Sequence, residues 1–139
     1  MTSIVIDTNV LVAALRSRNG ASFKLLSLVG TGVFETVVSV PLVVEYEYAS
    51  LKTASEIGLD LSAVANILDY LCKVSQHQSI FYLWRPILRD PGDDMLLEVG
   101  VASAADVIVT FNKRDFKNAA SFGLKICSPR EFLKSEGLL

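Results

Sequence analysis

The sequence predicts a single α/β domain over residues 1–139, a three-layer sandwich with a central, mainly parallel sheet between helices. Short runs of β-branched residues alternate with segments in which apolar residues recur at helical spacing, and this alternation is typical of a parallel sheet with crossover helices. The composition is 51% hydrophobic and 20% charged, which is incompatible with a disordered chain. A length of 139 residues is enough for one domain with a sizeable core.

The first predicted strand covers residues 4–7, which are apolar and β-branched up to Asp7. Helical spacing follows over residues 9–15, and a polar turn ending in Gly20 closes it. We expect Ser22 to cap a second helix, since serine is favoured at that position.

Residues 36–40 form the second predicted strand, and Pro41 is well placed in the first turn of the helix that follows. We expect Gly58 to end this helix and Asp60 to begin the next one. Residues 79–83 are predicted to be the third strand.

A turn over residues 89–94 precedes a helix predicted over residues 95–105. Residues 107–110 and 124–127 are the fourth and fifth predicted strands. Residues 128–131, Ser-Pro-Arg-Glu, have the pattern of a capping box and predict a last helix.

Cysteine and histidine chemistry is not indicated by the sequence. Cys72 and Cys127 lack metal-ligand or redox spacing and are predicted to be buried thiols. His77 is the only histidine, so a serine triad or a histidine-based zinc site would depend on it alone. It lies in a polar stretch, residues 75–79, that we interpret as a solvent-exposed loop.

Charge and hydropathy limit the classes of partner. The formal charge is −2, from 13 basic and 15 acidic residues, so no general nucleic-acid-binding surface is indicated, and none is excluded. No apolar run reaches the length of a membrane span. The chain enters its first strand almost at once, which leaves no room for a signal peptide, and a cytoplasmic location is the default expectation.

Four acidic residues are predicted to meet at the carboxyl edge of the sheet. Asp7 ends the first strand, Glu45 lies early in the helix after the second, and Asp115 follows the fourth. Asp94 begins a helix that runs opposite to its following strand, which brings its start to the same edge. Local alternatives stay open: Asp7 or Asn9 as a helix cap, Glu47 in place of Glu45, and Asp93 in place of Asp94.

Such a group of carboxylates would repel one another unless a cation compensated their charge. Oxygen ligands without histidine or thiolate suit Mg²⁺ or Mn²⁺. Phosphodiester hydrolysis uses sites of this kind, because one metal ion lowers the pKa of a bound water and a second steadies the leaving oxygen.

Four motifs together resemble the PIN domain family, and most closely its VapC-type toxin ribonucleases. The motifs are Ile6-Asp-Thr-Asn-Val10, Ser39-Val-Pro-Leu-Val-Val-Glu45, Asp90-Pro-Gly-Asp-Asp94 and Thr110-Phe-Asn-Lys-Arg-Asp-Phe116. The resemblance implies the metal ligands Asp7, Glu45, Asp94 and Asp115, with support from Thr8, Asn9, Thr110 and Asn112. Asp93, beside Asp94, and Glu98, one helical turn after it, are further candidates at the same cleft. Many relatives carry aspartate where this chain has Asn112.

The resemblance implies a Mg²⁺-dependent endoribonuclease that cleaves RNA with a metal-activated water, as the toxin of a type II toxin–antitoxin system. It also implies an antitoxin partner and a homodimer. One alternative is a non-catalytic PIN-fold module that binds RNA or protein through a weakened metal site. Another is an aspartyl-phosphate phosphatase, although that chemistry needs a second aspartate where this chain has Asn9.

Overall fold

Five parallel strands form the central sheet of the computed structural model, which describes residues 1–79 and 91–139, without the side chains of 91–95 and 117–121. The strands are β1 Ser3–Ile6, β2 Glu35–Val38, β3 Gln76–His77, β4 Val107–Val109 and β5 Lys125–Cys127. Their order across the sheet is β3-β2-β1-β4-β5, and all four neighbouring pairs are parallel. The predicted α/β architecture is confirmed.

Helices connect these strands. They are α1 Thr8–Arg16, α2 Ala21–Leu28, α3 Val40–Ile57, α4 Leu61–Val74, α5 Pro91–Ala102 and α6 Pro129–Ser135, together with a 3-10 segment, Lys113–Phe122. The helices α1, α2, α3 and α4 pack on one another, and α6 packs on α2. The helix α5 packs on β1, β2 and β4 and contacts the 3-10 segment.

The strand order reverses between β1 and β4. The chain passes from β1 to β2 and β3 on one side, and then returns to place β4 and β5 on the other. In open α/β sheets, ligands bind beyond the carboxyl ends of the strands where the order reverses. The end of β1 and the end of β4 therefore form the edge at which a site is expected.

The core is apolar where strands are buried on both faces. Ile4, Val5, Ile108 and Val109 are fully buried, as continuous β-branched runs in a parallel sheet should be. Cys127 is also buried, as predicted, whereas Cys72 is half-buried. Burial raises the pKa of the Cys127 thiol, which favours the unreactive protonated form.

Several predicted helix boundaries are confirmed. Gly58 ends α3 with a left-handed φ of 71°, a conformation that glycine adopts without steric penalty. The Asp60 carboxylate accepts a hydrogen bond from the Ser62 amide at the start of α4, and this bond lowers the Asp60 pKa. Pro41 lies in the first turn of α3.

Other local predictions are wrong. Gly20, not Ser22, precedes α2, and Ser22 is buried inside that helix. The second strand ends at Val38 rather than residue 40, because the Ser39 side chain caps α3 and draws Val40 into the helix.

The third strand also differs from the prediction. Gln76 and His77 pair with β2, although this stretch was predicted to be a loop. The sequence did not indicate this strand because its two residues are polar. It lies at the edge of the sheet, where side chains can be exposed to solvent. Ser79 lies outside any strand, and the rest of the predicted strand, residues 80–83, lies outside the described residues. Within residues 1–79 and 91–139, no helix has the length and apolar character needed to cross a membrane.

Candidate active site

Asp7 lies at the junction between β1 and α1 and is 7% exposed. Its backbone occupies the N-cap position of α1, but its side chain accepts no capping hydrogen bond from that helix. Its backbone N–H donates to the Val109 carbonyl at 2.9 Å, which extends the pairing of β1 with β4 by one residue. The carboxylate is thus placed by two strands and is not used to begin the helix.

Thr110 joins the end of β4 to Asp7. The register pairs Ile6 with Val109, so Thr110 lies level with Asp7. The fully buried Thr110 hydroxyl donates to Asp7 Oδ2 at 2.7 Å and accepts from the Asn112 N–H at 3.0 Å. This chain of two hydrogen bonds orients the carboxylate and fixes the backbone that leaves β4.

Asn9 holds the same segment from the α1 side. Its Oδ1 accepts from the Phe111 N–H at 3.5 Å, at the long limit of hydrogen bonding. Asn9 therefore helps to position the backbone that follows β4. An aspartyl-phosphate phosphatase requires a second carboxylate at this position, and this chain has an asparagine there that makes a structural contact instead.

Glu45 and Glu47 differ in their surroundings. Glu45 is half-buried with its Oε2 inaccessible to solvent, whereas the Glu47 side chain is exposed. Both were candidates by composition. The burial favours Glu45 as the inward-facing carboxylate of α3.

Tyr46 brings Glu45 and Asp7 into one environment. The buried Tyr46 hydroxyl donates to the Ile6 carbonyl, directly before Asp7. Burial raises the Tyr46 pKa well above its ordinary value, and the charges of Asp7 and Glu45 raise it further. Both carboxylates therefore lie close enough to act on this hydroxyl.

The sequence analysis assigned no role at the site to Tyr46. The side chain is buried in the core, and its bond to the Ile6 carbonyl ties α3 to the end of β1. The position directly after Glu45 was the available signal.

Ser39 sets the start of α3. It is 1% exposed, and its Oγ accepts from the Leu42 N–H at 3.3 Å. The register pairs Ile4 with Thr36, and three residues further along it places Ser39 level with Asp7. The cap thus begins the helix at the edge where Asp7 lies and places Glu45 in its second turn.

Thr8 is the first residue of α1 and is 7% exposed. Its Oγ1 is inaccessible to solvent and makes no hydrogen bond with the described part of the chain. A buried hydroxyl without a partner is costly. Beside a buried carboxylate, it fits a site that takes up a further polar group.

The third acidic motif lies at the start of α5. This helix begins at Pro91, so Asp93 and Asp94 lie inside its first turn and not at the capping position before it. Their side chains, and Asp90 altogether, lie outside the described residues. Glu98, one turn after Asp94, is 4% exposed on a helix that packs against β1 and β4.

Asp115 lies in the first turn of the 3-10 segment and is exposed. Its backbone N–H donates to the Asn112 carbonyl at 3.0 Å. Among the side chains that the structure describes, no three His, Cys, Asp or Glu form a group able to hold a metal ion. Asp7, Glu45 and Asp115 therefore do not form such a group by themselves. The four-carboxylate site stays a prediction that depends on Asp94, whose side chain lies outside the described residues.

The basic residues after β4 are not equivalent. Lys113 Nζ lies 2.9 Å from Glu131 Oε1 in an ion pair with α6. Arg114 is exposed and forms no ion pair within the described residues. Arg16, at the end of α1, pairs with Glu56 at 2.6 Å. Arg114 is therefore more available for contact with a phosphate than Lys113 and Arg16.

Comparison with known proteins agrees with the fold. A solved structure of VapBC2 from Rickettsia felis, bound to a DNA fragment from its promoter, contains a chain similar to this one. The match has a TM-score of 0.62 and 15% sequence identity, and covers 90% of this chain and 98% of that chain. No curated protein matches the sequence.

A family model for the PIN domain matches residues 3–114, from the start of β1 to two residues before Phe116. The matched part contains Asp7, Glu45 and Thr110, together with the start of α5. The chain therefore belongs to the PIN domain family.

Proposed function

We propose that this chain is a metal-dependent endoribonuclease, the toxin of a type II toxin–antitoxin pair. The proposal rests on the placement of the Asp7 side chain. Its carboxylate is buried and held by the Thr110 hydroxyl at 2.7 Å, and it does not cap the helix that it precedes. Membership in the PIN domain family and the fold shared with a VapBC2 structure support the same function.

A divalent cation fits the residues around Asp7. Carboxylate and hydroxyl oxygens without histidine suit Mg²⁺ or Mn²⁺, and Mg²⁺ keeps several of its waters when it binds protein. The buried Thr8 hydroxyl, which makes no hydrogen bond with the described residues, fits contact with such a water. Asp7, Glu45, Asp94 and Asp115 would hold the ion, which when bound lowers the pKa of a water for attack on phosphorus.

The protein's own contribution is to position the carboxylates. Thr110 orients Asp7 through its hydroxyl, and the Asn112 amide holds Thr110 in turn. The Ser39 cap and the Tyr46 bond to Ile6 fix α3, which carries Glu45. We expect this framework to exist before RNA or metal arrives, because each contact is made within the chain.

Metal-dependent cleavage of a single-stranded RNA by the purified protein tests this function. We expect cleavage with Mg²⁺ or Mn²⁺ and none with EDTA, and a loss of at least ~100-fold for Asp7→Asn, since removal of an essential group commonly costs that much. Glu45→Gln should lose activity strongly, whereas its matched control Glu47→Gln should not, because only Glu45 is half-buried.

Equal activity of the two glutamate variants would contradict the assignment of Glu45. RNA binding that persists in EDTA, without cleavage under any metal, would favour the alternative of a non-catalytic binding module. Release of phosphate from small phosphate esters would support the phosphatase alternative.

An antitoxin partner is part of the proposal. An apolar groove of about 420 Å³ lies between α2 and α4. It is lined by Phe23, Leu26, Ser27, Asn66, Ile67, Tyr70 and Leu71. Such a groove suits an amphipathic helix of a partner protein. Co-purification with the product of an adjacent small gene, lost in Ile67→Asp, would test it.

A homodimer is proposed on a second surface. Val40, Val44 and Tyr48 are 74%, 62% and 72% exposed and follow one another at four-residue spacing along α3. An apolar row of this kind suits packing against another helix. Sedimentation analysis of Val44→Lys should show a monomer, whereas an unchanged molecular mass in this variant would place any dimer contact elsewhere. We expect the protein to act in the cytoplasm, where its RNA substrate is found.

A further inference from the structure

Phe111 is an exposed aromatic residue that directly follows the Asp7 partner Thr110, two residues after the end of β4. Its side chain is 51% exposed, while Phe116, five residues further on, is 1% exposed and belongs to the core. The chain thus buries one phenylalanine of this segment and leaves the other in water beside the candidate site. An exposed aromatic ring at this place offers a face on which a nucleic-acid base can stack.

The backbone of Phe111 is held on both sides by the same network that positions Asp7. Its own N–H donates to Asn9 Oδ1 at 3.5 Å, and the next N–H, of Asn112, donates to the Thr110 hydroxyl at 3.0 Å. That hydroxyl donates to Asp7. Phe111 is therefore kept at a fixed place relative to the carboxylate, which reduces the ordering that a ligand would have to impose.

A positive charge lies close along the chain. Arg114 is exposed three residues after Phe111 and has no ion-pair partner within the described residues, whereas Lys113 is paired with Glu131. An aromatic surface for bases combined with a cation for the phosphate backbone is the usual composition of single-strand binding sites.

We propose that Phe111 stacks on an unpaired base of the RNA and thereby places the adjacent phosphate at Asp7, with Arg114 contacting the backbone. This inference rests on the proposed function and assigns the contact with an unpaired base to a particular residue. Stacking on a phenyl ring tolerates every base, because each base has a π-face, so Phe111 selects for an unpaired strand and not for a sequence. A base inside a duplex is already stacked and is not available to it.

The test is the affinity of the full-length protein for a fluorescein-labelled single-stranded RNA in EDTA, where metal-dependent turnover is absent. We expect Phe111→Ala to weaken binding by about 5- to 100-fold, the range expected for one lost base–aromatic stack. Phe111→Tyr should restore binding, while Phe111→Leu, apolar but not aromatic, should not. Phe122→Ala is the matched control, since Phe122 is also exposed, at 40%, but lies at the far end of the 3-10 segment.

Two further measurements separate stacking from a structural role. Phe111→Ala should leave affinity for an RNA duplex of the same sequence unchanged, and its thermal unfolding should match that of the wild type because the side chain is exposed. With Mg²⁺ present, the variant should raise KM with little change in kcat, as expected for lost ground-state binding.

Wild-type affinity in Phe111→Ala or in Phe111→Leu would overturn the proposal, as would equal losses on single-stranded and duplex RNA. Loss of binding to a protein partner, with RNA affinity intact, would overturn it too. A Phe111-dependent binding of single-stranded RNA in a protein that cleaves nothing with any metal would uphold the stacking site and refute the nuclease function.

Discussion

Two strand-to-helix junctions of this molecule use similar residues in opposite ways. Between β5 and α6, the Ser128 hydroxyl accepts from the Glu131 N–H at 3.2 Å, and the Glu131 carboxylate accepts from the Ser128 N–H at 2.9 Å. Between β1 and α1, Asp7 occupies the same N-cap position, yet its side chain makes no capping bond and lies against Thr110.

The difference shows where the chain gives up local stability. An N-cap hydrogen bond stabilises a helix by about 1 kcal/mol, and aspartate is among the best residues for it. The helix α6 has this stabilisation, because both hydrogen bonds of its capping box are formed and Pro129 lies in its first turn. At α1 the carboxylate is directed to another strand instead, as expected where a residue serves a site and not its own helix.

Among changes at these two junctions, Thr110→Val is expected to reduce the stability of the protein the most. The substitution keeps the side-chain shape but removes the donor to Asp7 Oδ2 and the acceptor for the Asn112 N–H. Loss of a buried hydrogen bond to a charged group should lower the free energy of unfolding by about 1.5–3 kcal/mol. Urea denaturation measures it, and Thr110→Ser, which keeps the hydroxyl, is the control. A loss below ~0.5 kcal/mol would mean that the Asp7 junction is not held by this contact.

Removal of the capping box should have an intermediate effect. Ser128→Ala should reduce stability by about 1 kcal/mol at neutral pH, since it removes the cap of α6. Hydrogen bonds from Ser128 and then the Lys113 side chain lower the Glu131 pKa to about 2.

Because that pKa is depressed in the folded state, the contribution of Glu131 to stability is present above its ordinary pKa of 4.5 and is lost as the pH falls toward 2. The stability difference between wild type and Glu131→Gln, followed by urea denaturation at several pH values, should therefore shrink over this range. A difference that stays constant down to pH 2 would argue against the box as its source.

The smallest effect on stability is expected from Asp7→Asn, the variant expected to lose the most activity. The amide oxygen can still accept from Thr110, and no capping bond is lost. We expect the free energy of unfolding to change by no more than ~0.5 kcal/mol or to rise. A loss of 1 kcal/mol or more would show that Asp7 supports the fold in a way that its lack of a capping bond does not indicate.

Much of the architecture was predictable because each buried parallel strand corresponds to a continuous apolar run in the sequence. The stretches around Ile4, Ile108 and Ile126 were each recognised within one or two residues of their observed bounds. The signals that end helices are local as well, as the left-handed Gly58 and the Ser128 capping box illustrate. The edge strand Gln76–His77 was missed because it is short and its polar side chains face water.

The sequence by itself determined that acidic residues would follow the strands of a PIN domain, since strand, turn and cap signals lie within a few residues of one another. Only the tertiary structure decided what those residues do. Whether Asp7 caps α1 or meets Thr110 depends on the pairing of two strands 103 residues apart. Whether Glu45 or Glu47 is half-buried depends on how α3 is held against β1 by Tyr46. Neither choice is encoded in neighbouring residues, because contacts between distant segments exist only once the sheet has formed.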